Sequence, residues 1–385
     1  MVPNLRFNQF NSAWERNSIG DLINEVKEYT SSFEKYPLYS FTIESGVTPK
    51  TERYERNFLV KKDGDLFKVV HPNNFVMNPM NLRFGAINYS KQTIDVSVSG
   101  YYDIFEIDNS NYNDFWNAYF KAPQTINTYN SIATGSLVEK KRVHFSQLKS
   151  LKFYLPSNDE KEKINSFIKL LDDRISVQIK IINDLVLQKK CIISSLLKSV
   201  QDNEKIMLKD ILFDYNIKTT INNEYPVLSS TASGMYLQSE YFNKEASSDN
   251  TIGYKIIPRG YCTYRSMSDT GLFTFNMQEL VEKGIVSPAY PVFSANDDYI
   301  NEFIILYLNN SSYIKKQILE LKSGGTRFAL PFSTLCTLKI PKLDKEKQLS
   351  LIKTITAFER KIENEEMILK ALHQQKNFLL NNMFI

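Results

Sequence analysis

Apolar residues recur at alternating three- and four-residue steps along residues 159–198 and 344–384, and neither stretch contains Gly or Pro. That spacing predicts two long helices. The first seam runs Ile168, Leu171, Ile175, Gln178, Ile182, Leu185, Lys189, Ile192 and Leu196. The second runs Ile355, Phe358, Ile362, Glu365, Leu369, Leu372, Lys376, Leu379 and Met383. Both place a polar residue at the same two steps, Gln178 with Glu365 and Lys189 with Lys376. Matched polar interruptions fix register at a cost in stability, so the two helices are expected to pair as an antiparallel coiled coil. Each stripe could instead lie on its own globule. Length argues otherwise, because about 39 residues at 1.5 Å each reach roughly 58 Å, farther than a globule of about 140 residues is wide.

The remaining sequence has a different pattern. Short apolar runs such as Phe58-Leu59-Val60, residues 66–70 and residues 254–257 are broken by Asn, Gly, Ser and Pro, which reads as strands and loops. Brief helical patterns follow at 113–120 and 300–308. Shifting the chain by 187 to 189 residues brings these parts into register. Tyr36-Pro37-Leu38-Tyr39-Ser40 meets Tyr225-Pro226-Val227-Leu228-Ser229, and Phe67-Lys68-Val69-Val70 meets Tyr254-Lys255-Ile256-Ile257. Ser99, Tyr102, Ile104 and Phe105 meet Ser287, Tyr290, Val292 and Phe293. Asn113, Phe115 and Tyr119 then meet Asn301, Phe303 and Tyr307, and Phe145-Ser146-Gln147-Leu148 meets Phe332-Ser333-Thr334-Leu335. Conserved order at a nearly constant offset marks a tandem duplication. The expected fold is α+β, with two tandem pseudo-repeated α/β globules at 1–156 and 201–341, separated by long helices at 157–200 and 342–385.

Composition narrows the chemistry. The chain has 385 residues, of which 42% are hydrophobic, enough for more than one core. No apolar run reaches the roughly 18 residues of a membrane span, and Met1–Arg6 lacks a signal-peptide stretch, so a soluble cytoplasmic protein is expected. Cys191, Cys262 and Cys336, with His71, His144 and His373, are too scattered for a disulfide framework or a metal-ligand spacing. The net charge is only +4, and its excess sits outside the globules. Residues 1–145 carry 16 basic and 16 acidic groups and 207–333 carry 11 and 13, whereas 146–206 carry 11 and 8 and 334–385 carry 9 and 6. Globules that bind nucleic acid must therefore use local patches.

Two similar heads on a rigid spacer suit a ligand with two related sites at a fixed distance, as duplex DNA offers. Because the heads share a framework but differ elsewhere, each could read a different half-site. Candidate reading residues in the first head are Lys50, Arg53, Tyr54 and Arg56, then Asn81, Arg83, Tyr89 and Lys91, then Lys140, Lys141 and Arg142. In the second they are Tyr236, Gln238 and Tyr241, then Tyr264, Arg265 and Ser266, then Gly324, Gly325, Thr326 and Arg327. Arg can bond a guanine edge in two places, Asn and Gln an adenine edge, and Lys holds phosphates. Basic loops are also common solvated surface. No Walker phosphate loop, Gly-x-Ser-x-Gly or His-Glu-x-x-His occurs, and Asn78-Pro79-Met80 is the nearest approach to an amino-methyltransferase motif.

These residues resemble the specificity subunit of bacterial type I restriction-modification systems. Similarity is carried by Val2-Pro3-Asn4-Leu5-Arg6-Phe7 with Phe10 and Trp14, Ile19-Gly20-Asp21-Leu22, and Asn78-Pro79-Met80-Asn81-Leu82-Arg83. It continues through Leu155-Pro156, Leu171-Asp172-Asp173-Arg174-Ile175, Gly284-Ile285-Val286-Ser287-Pro288-Ala289-Tyr290, and Gly324-Gly325-Thr326-Arg327 running into Phe332-Ser333. The second helix departs from the pattern, with Thr354-Ile355-Thr356-Ala357-Phe358 in place of the more family-like 167–171. The resemblance implies two target recognition domains that read a bipartite, asymmetric DNA sequence, with the helices as a ruler. It implies double-stranded DNA, two modification (methyltransferase) subunits and restriction subunits as partners, and no membrane. It also implies a non-catalytic chain that binds no cofactor, with S-adenosylmethionine, ATP and Mg on the partner subunits. The alternative is a stand-alone DNA-binding scaffold or regulator.

Overall fold

A computed structural model describes residues 1–49, 66–137, 140–241, 250–321 and 328–385. The chain forms two compact units, Met1–Lys180 together with Met367–Ile385, and Ile181–Glu366. Both unit boundaries fall inside long helices, α4 (Asn158–Ser199) and α9 (Lys345–Met383). These two helices start where the chain supplies caps. Ser157 Oγ accepts from the Glu160 amide at 3.4 Å, and Asp344 Oδ1 from the Lys347 amide at 2.7 Å. Acidic residues in each first turn, Asp159 with Glu160 and Glu346, complement the helix dipole.

In the first unit, β2 (Ile23–Glu25), β10 (Asp103–Ile107), β7 (Phe75–Met77) and β8 (Ile87–Tyr89) form a sheet in that order. A second sheet runs β3 (Tyr29–Thr30), β6 (Phe67–Val70), β9 (Val96–Val98). Two pairs complete it, β1 (Glu15–Ser18) with β11 (Lys152–Leu155) and β4 (Tyr39–Thr42) with β5 (Gly46–Pro49). All of these ladders are antiparallel. Helices α1 (Asn113–Lys121) and α2 (Pro123–Ile132) follow β10, and the short α3 (Phe145–Lys149) precedes β11. Pro123 at the first position of α2, after extended Ala122, separates it from α1. The 113–120 pattern covers α1 only, because the polar run of α2 hides its helical period.

The core of this unit is aromatic. Phe75 stacks on Phe105 with centroids 5.3 Å apart, and Phe120 meets Phe75 edge-on at 5.7 Å. The far end of α9 closes it, since Phe384 sets its edge against Phe115 at 5.7 Å and Tyr119 at 5.2 Å while Met383 is buried beside it. Each such side chain withdrawn from water contributes roughly 1.5–3 kcal/mol.

The second unit has the same strand order. Its four-stranded sheet is β13 (Leu212–Asp214), β21 (Val292–Ala295), β17 (Cys262–Tyr264), β19 (Phe275–Met277). Antiparallel pairs are β12 (Lys205–Met207) with β23 (Lys339–Pro341), β14 (Leu228–Thr231) with β15 (Gly234–Leu237), and β16 (Lys255–Pro258) with β20 (Lys283–Val286). A further pair, β18 (Met267–Ser268) with β22 (Phe328–Ala329), is also antiparallel. The helices are α5 (Gln238–Tyr241), α6 (Asn301–Asn310), α7 (Ser312–Glu320) and α8 (Phe332–Leu335).

Several contacts are alike in the two units. Phe105 lies 5.5 Å from Phe145, and its counterpart Phe293 lies 5.9 Å from Phe332. Tyr119 and Tyr307 are both fully buried on the first helix after the central strand. A parallel bridge joins Leu38 to Ser97 in one unit and Val227 to Ile285 in the other. The amides of Ser97 and Ile285 donate to Pro37 and Pro226, each at 2.9 Å.

All eighteen seam positions are buried or half-buried. Those near the start of α4 and the end of α9, Ile168 and Met383 among them, join the first unit's core, where Lys376 and Asp172 form an ion pair. Ile355 and Leu196 pack in the second unit's core, where Lys189 bonds Glu359 at 3.1 Å.

Candidate nucleic-acid interface

In the first unit the sequence candidates separate by burial. Asn81 is exposed at the start of a tight turn, where its carbonyl accepts from Phe84 and Ala86. Arg83, two residues on, is 9% exposed with its guanidinium 5.1 Å from the Phe84 ring, so folding turns it inward. Lys140 and Arg142 are exposed and Lys141 half-buried, on a stretch held by the Thr134–Arg142 bridge. Lys50, Arg53, Tyr54 and Arg56 lie outside the described residues.

Tyr89 and Lys91 converge on Asp114. The Tyr89 hydroxyl donates to Asp114 at 2.6 Å, and the Lys91 ammonium lies 3.6 Å from the same carboxylate and 5.2 Å from the Tyr89 ring. Burial, reinforced by Asp114, pushes the Tyr89 phenol well above its usual pKa. These residues line a cleft of about 530 Å³ that also takes in Lys121, Asp172 and Lys376. Lys121 bonds Asn88 Oδ1, and its pKa is pulled down to about 8, by burial first and then by the charges of Lys376 and Lys91. The sequence does not single out Lys121, because it lies on α1 among core residues and meets its neighbours only through the fold.

In the second unit Tyr236 and Gln238 are half-buried, and the Tyr236 hydroxyl donates to the Ser233 carbonyl at 3.3 Å. Tyr264 is a core residue. It is 0% exposed, its ring is 4.8 Å from Phe275, and its hydroxyl donates to the Leu330 carbonyl at 2.8 Å, so it presents no surface to a base. Arg265, next along, is exposed on a cleft of about 430 Å³. Ser266 is tied down, its hydroxyl donating to the Ala289 carbonyl at 2.9 Å. The Tyr241 side chain, Gly324, Gly325, Thr326 and Arg327 lie outside the described residues.

Residues far apart in sequence also make a titrating clasp in the first unit. His71 Nδ1 lies 2.9 Å from Asp95, and Nε2 lies 2.9 Å from Glu28, which also accepts from the Tyr36 hydroxyl at 3.1 Å. Only an imidazolium donates through both nitrogens. Burial lowers the His71 pKa, but the bonds to Asp95 and Glu28 outweigh it and the net shift is upward. The clasp's contribution is therefore fully present below about pH 6.5 and is lost as the pH rises through the folded-state pKa. Thermal melts of the wild type should show this loss as the pH rises above about 6.5, and His71→Gln should flatten that part of the profile. An identical profile in the variant would show that the clasp carries no linkage.

Among the described residues, no helix is long and apolar enough to cross a membrane. No protein-family model matches the sequence. The fold is that of the specificity subunits of type I restriction-modification systems. The crystal structure of the type I S subunit from M. genitalium covers 100% of this chain and 99% of its own, with a TM-score of 0.50 and 15% identity. The HsdS subunit from Thermoanaerobacter tengcongensis covers 96% of each chain, with a TM-score of 0.52 and 11% identity. A chain from a structure addressing complex assembly and conformational transition of the type I R-M system covers 97% and 98%, with a TM-score of 0.60 and 10% identity.

Proposed function

We propose that this chain is a non-catalytic specificity subunit of a type I restriction-modification complex, whose two heads read the two parts of an asymmetric DNA target. The observation that carries the reading is the single strand order used twice with different exposed side chains. Among the described candidates the first unit exposes Asn81, Lys91, Lys140 and Arg142, and the second exposes Arg265. A shared scaffold with unlike surfaces suits recognition of two unlike half-sites. The heads are the target recognition domains, bounded at 1–156 and 201–341, and α4 and α9 pair as an antiparallel coiled coil that spaces them. Two ion pairs support that pairing. Lys189 lies seventeen residues after Asp172, and Glu359 lies seventeen residues before Lys376, so one antiparallel register accommodates both.

Methyl transfer and DNA cleavage then belong to two modification subunits and to restriction subunits, which carry S-adenosylmethionine, ATP and Mg. Co-expression of the chain with a type I modification subunit, followed by genome-wide mapping of methylated adenines, tests this directly. A stable complex that methylates a two-part asymmetric motif is expected, and replacing residues 1–145 should change one part only. No complex, or an uninterrupted motif, would overturn the reading.

A further inference from the structure

The first unit holds a lysine that is fixed in place but has no counter-charge. Lys121, the last residue of α1, is half-buried on the 530 Å³ cleft, which lies wholly within that unit. Its ammonium donates to Asn88 Oδ1 and, at 3.5 Å, to the Ile43 carbonyl. Asn88 is itself buried, and its Nδ2 donates to the carbonyls of Ile43 at 3.0 Å and Thr42 at 3.4 Å. The β4–β5 hairpin comes this close because it carries Gly46, whose φ is +65° and where a Cβ would lie 3.1 Å from the Asn88 Cβ. Two neutral acceptors thus hold Lys121, whereas an ammonium has three N–H groups to give.

The other charges around the cleft are paired or exposed. Asp114 accepts from the Tyr89 hydroxyl at 2.6 Å and pairs with Lys91 at 3.6 Å, and Asp172 pairs with Lys376. Glu44 on the hairpin and His373 on α9 are exposed. Among the described residues no carboxylate lies within ion-pair distance of Lys121, and burial, with Lys376 and Lys91, pulls its pKa down to about 8. One helical turn earlier, on the same face of α1, Asn117 Oδ1 is buried in the cleft without a hydrogen-bond partner. The second unit does not repeat this. Asn309 stands 188 residues after Lys121, within the shift that aligns the two halves of the sequence, and Ile305 stands at the same shift from Asn117. Both line a cleft of about 500 Å³. The Asn309 side chain is satisfied there, its Oδ1 accepting from the Phe275 amide at 2.9 Å and its Nδ2 donating to the Phe275 carbonyl at 2.8 Å.

We infer that the first unit's cleft binds a phosphate group, with Lys121 as its charged donor and Asn117 as its amide partner. A phosphate supplies the counter-charge that a buried ammonium lacks, and lysine holds phosphates as a point charge. The Asn117 amide can meet it either way round, through Nδ2 to an unprotonated oxygen or through Oδ1 to a protonated one. A volume of about 530 Å³ falls in the range of small-molecule sites, so the phosphate is expected on a larger molecule. That molecule is a free phosphate ester or the backbone of DNA. The site does not depend on the DNA-recognition reading above.

The test melts the full chain with inorganic phosphate or with a random-sequence DNA duplex, as wild type and as Lys121→Gln, which keeps a donor for Asn88 but loses the charge. Phosphate strengthens burial in any protein, so the readout is the difference between the two chains. The variant should need roughly tenfold more ligand for the same rise in melting temperature, because a hydrogen bond to a charged group is lost. A difference seen with phosphate marks a free phosphate ester as the source. One seen with the duplex alone marks the DNA backbone. In wild type the added stability should also fade as the pH rises above about 8 and Lys121 loses its proton. The duplex, and sulfate in place of phosphate, keep a constant charge there and report the lysine alone. This second arm decides the matter if the variant fails to fold. Equal responses of both chains to phosphate and to the duplex would overturn the inference, and so would a wild-type effect indifferent to pH.

Discussion

Glu160→Ala should cost the first unit about 3–5 kcal/mol, the range for removing one partner of a buried ion pair. Glu160 is 1% exposed and accepts three bonds, from Arg6 Nε at 2.7 Å, Arg6 Nη2 at 2.6 Å and Trp14 Nε1 at 3.2 Å. The pair is bidentate and closes 154 residues of chain, fastening the segment before β1 to the first turn of α4. Truncation leaves the Arg6 guanidinium, itself largely buried, and the Trp14 indole N–H without acceptors. Those stranded donors, rather than the lost attraction, supply most of the penalty. Glu160→Gln keeps the shape and one acceptor but not the charge, and should fall between wild type and Ala. Urea unfolding followed through the fluorescence of Trp14 and Trp116, both in this unit's core, measures both variants, and a loss below about 1 kcal/mol for Ala would show that water replaces the carboxylate.

The contrast between that cluster and the long helices explains which features could be read from the sequence. Helices α4 and α9 follow from local information, the absence of Gly and Pro together with a steady apolar step, and residues 159–198 and 344–384 differ from the observed spans by one residue or so at each end. Core aromatics stand out in the sequence for the same local reason, and Phe105 and Phe293 each lie on a buried strand with an aromatic neighbour, Phe145 and Phe332. Surface chemistry was much less legible. Tyr264 and Arg265 are adjacent, yet Tyr264 ends a strand that is buried throughout while Arg265, one residue past it, is exposed, and no local pattern marks where the strand stops. Arg83 is the middle residue of the tight turn 82–84, whose geometry folds it inward, although its position near Asn81 suggests a loop reader. Glu28, His71 and Asp95 come from separate loops, and no spacing rule links them. The burial of Phe384 against Phe115 likewise joins opposite ends of the sequence.

Inserting one heptad into both α4 and α9 should widen the gap between the two parts of the target by roughly 3 base pairs, since seven residues add about 10 Å and each pair rises 3.4 Å. Seven is the right increment, because it restores the 3.5-residue seam after two turns and leaves each head facing as before, which four or five residues would not. Suitable points lie just after Lys180 in α4 and just before Met367 in α9, where the chain passes from one compact unit to the other. There the insertion leaves Asp172 with Lys376 and Lys189 with Glu359, so both ion pairs survive. The wild-type target should then be methylated poorly, because the heads can no longer engage both half-sites at once, and the two-site gain that simultaneous contact provides is lost. A target with the longer gap should recover it. Insertion into α4 alone puts the two seams out of step and should destabilise the complex instead of changing the spacing. Unchanged spacing in a stable double-insertion protein would mean that the distance between half-sites is set elsewhere, and the proposed ruler would have to be abandoned.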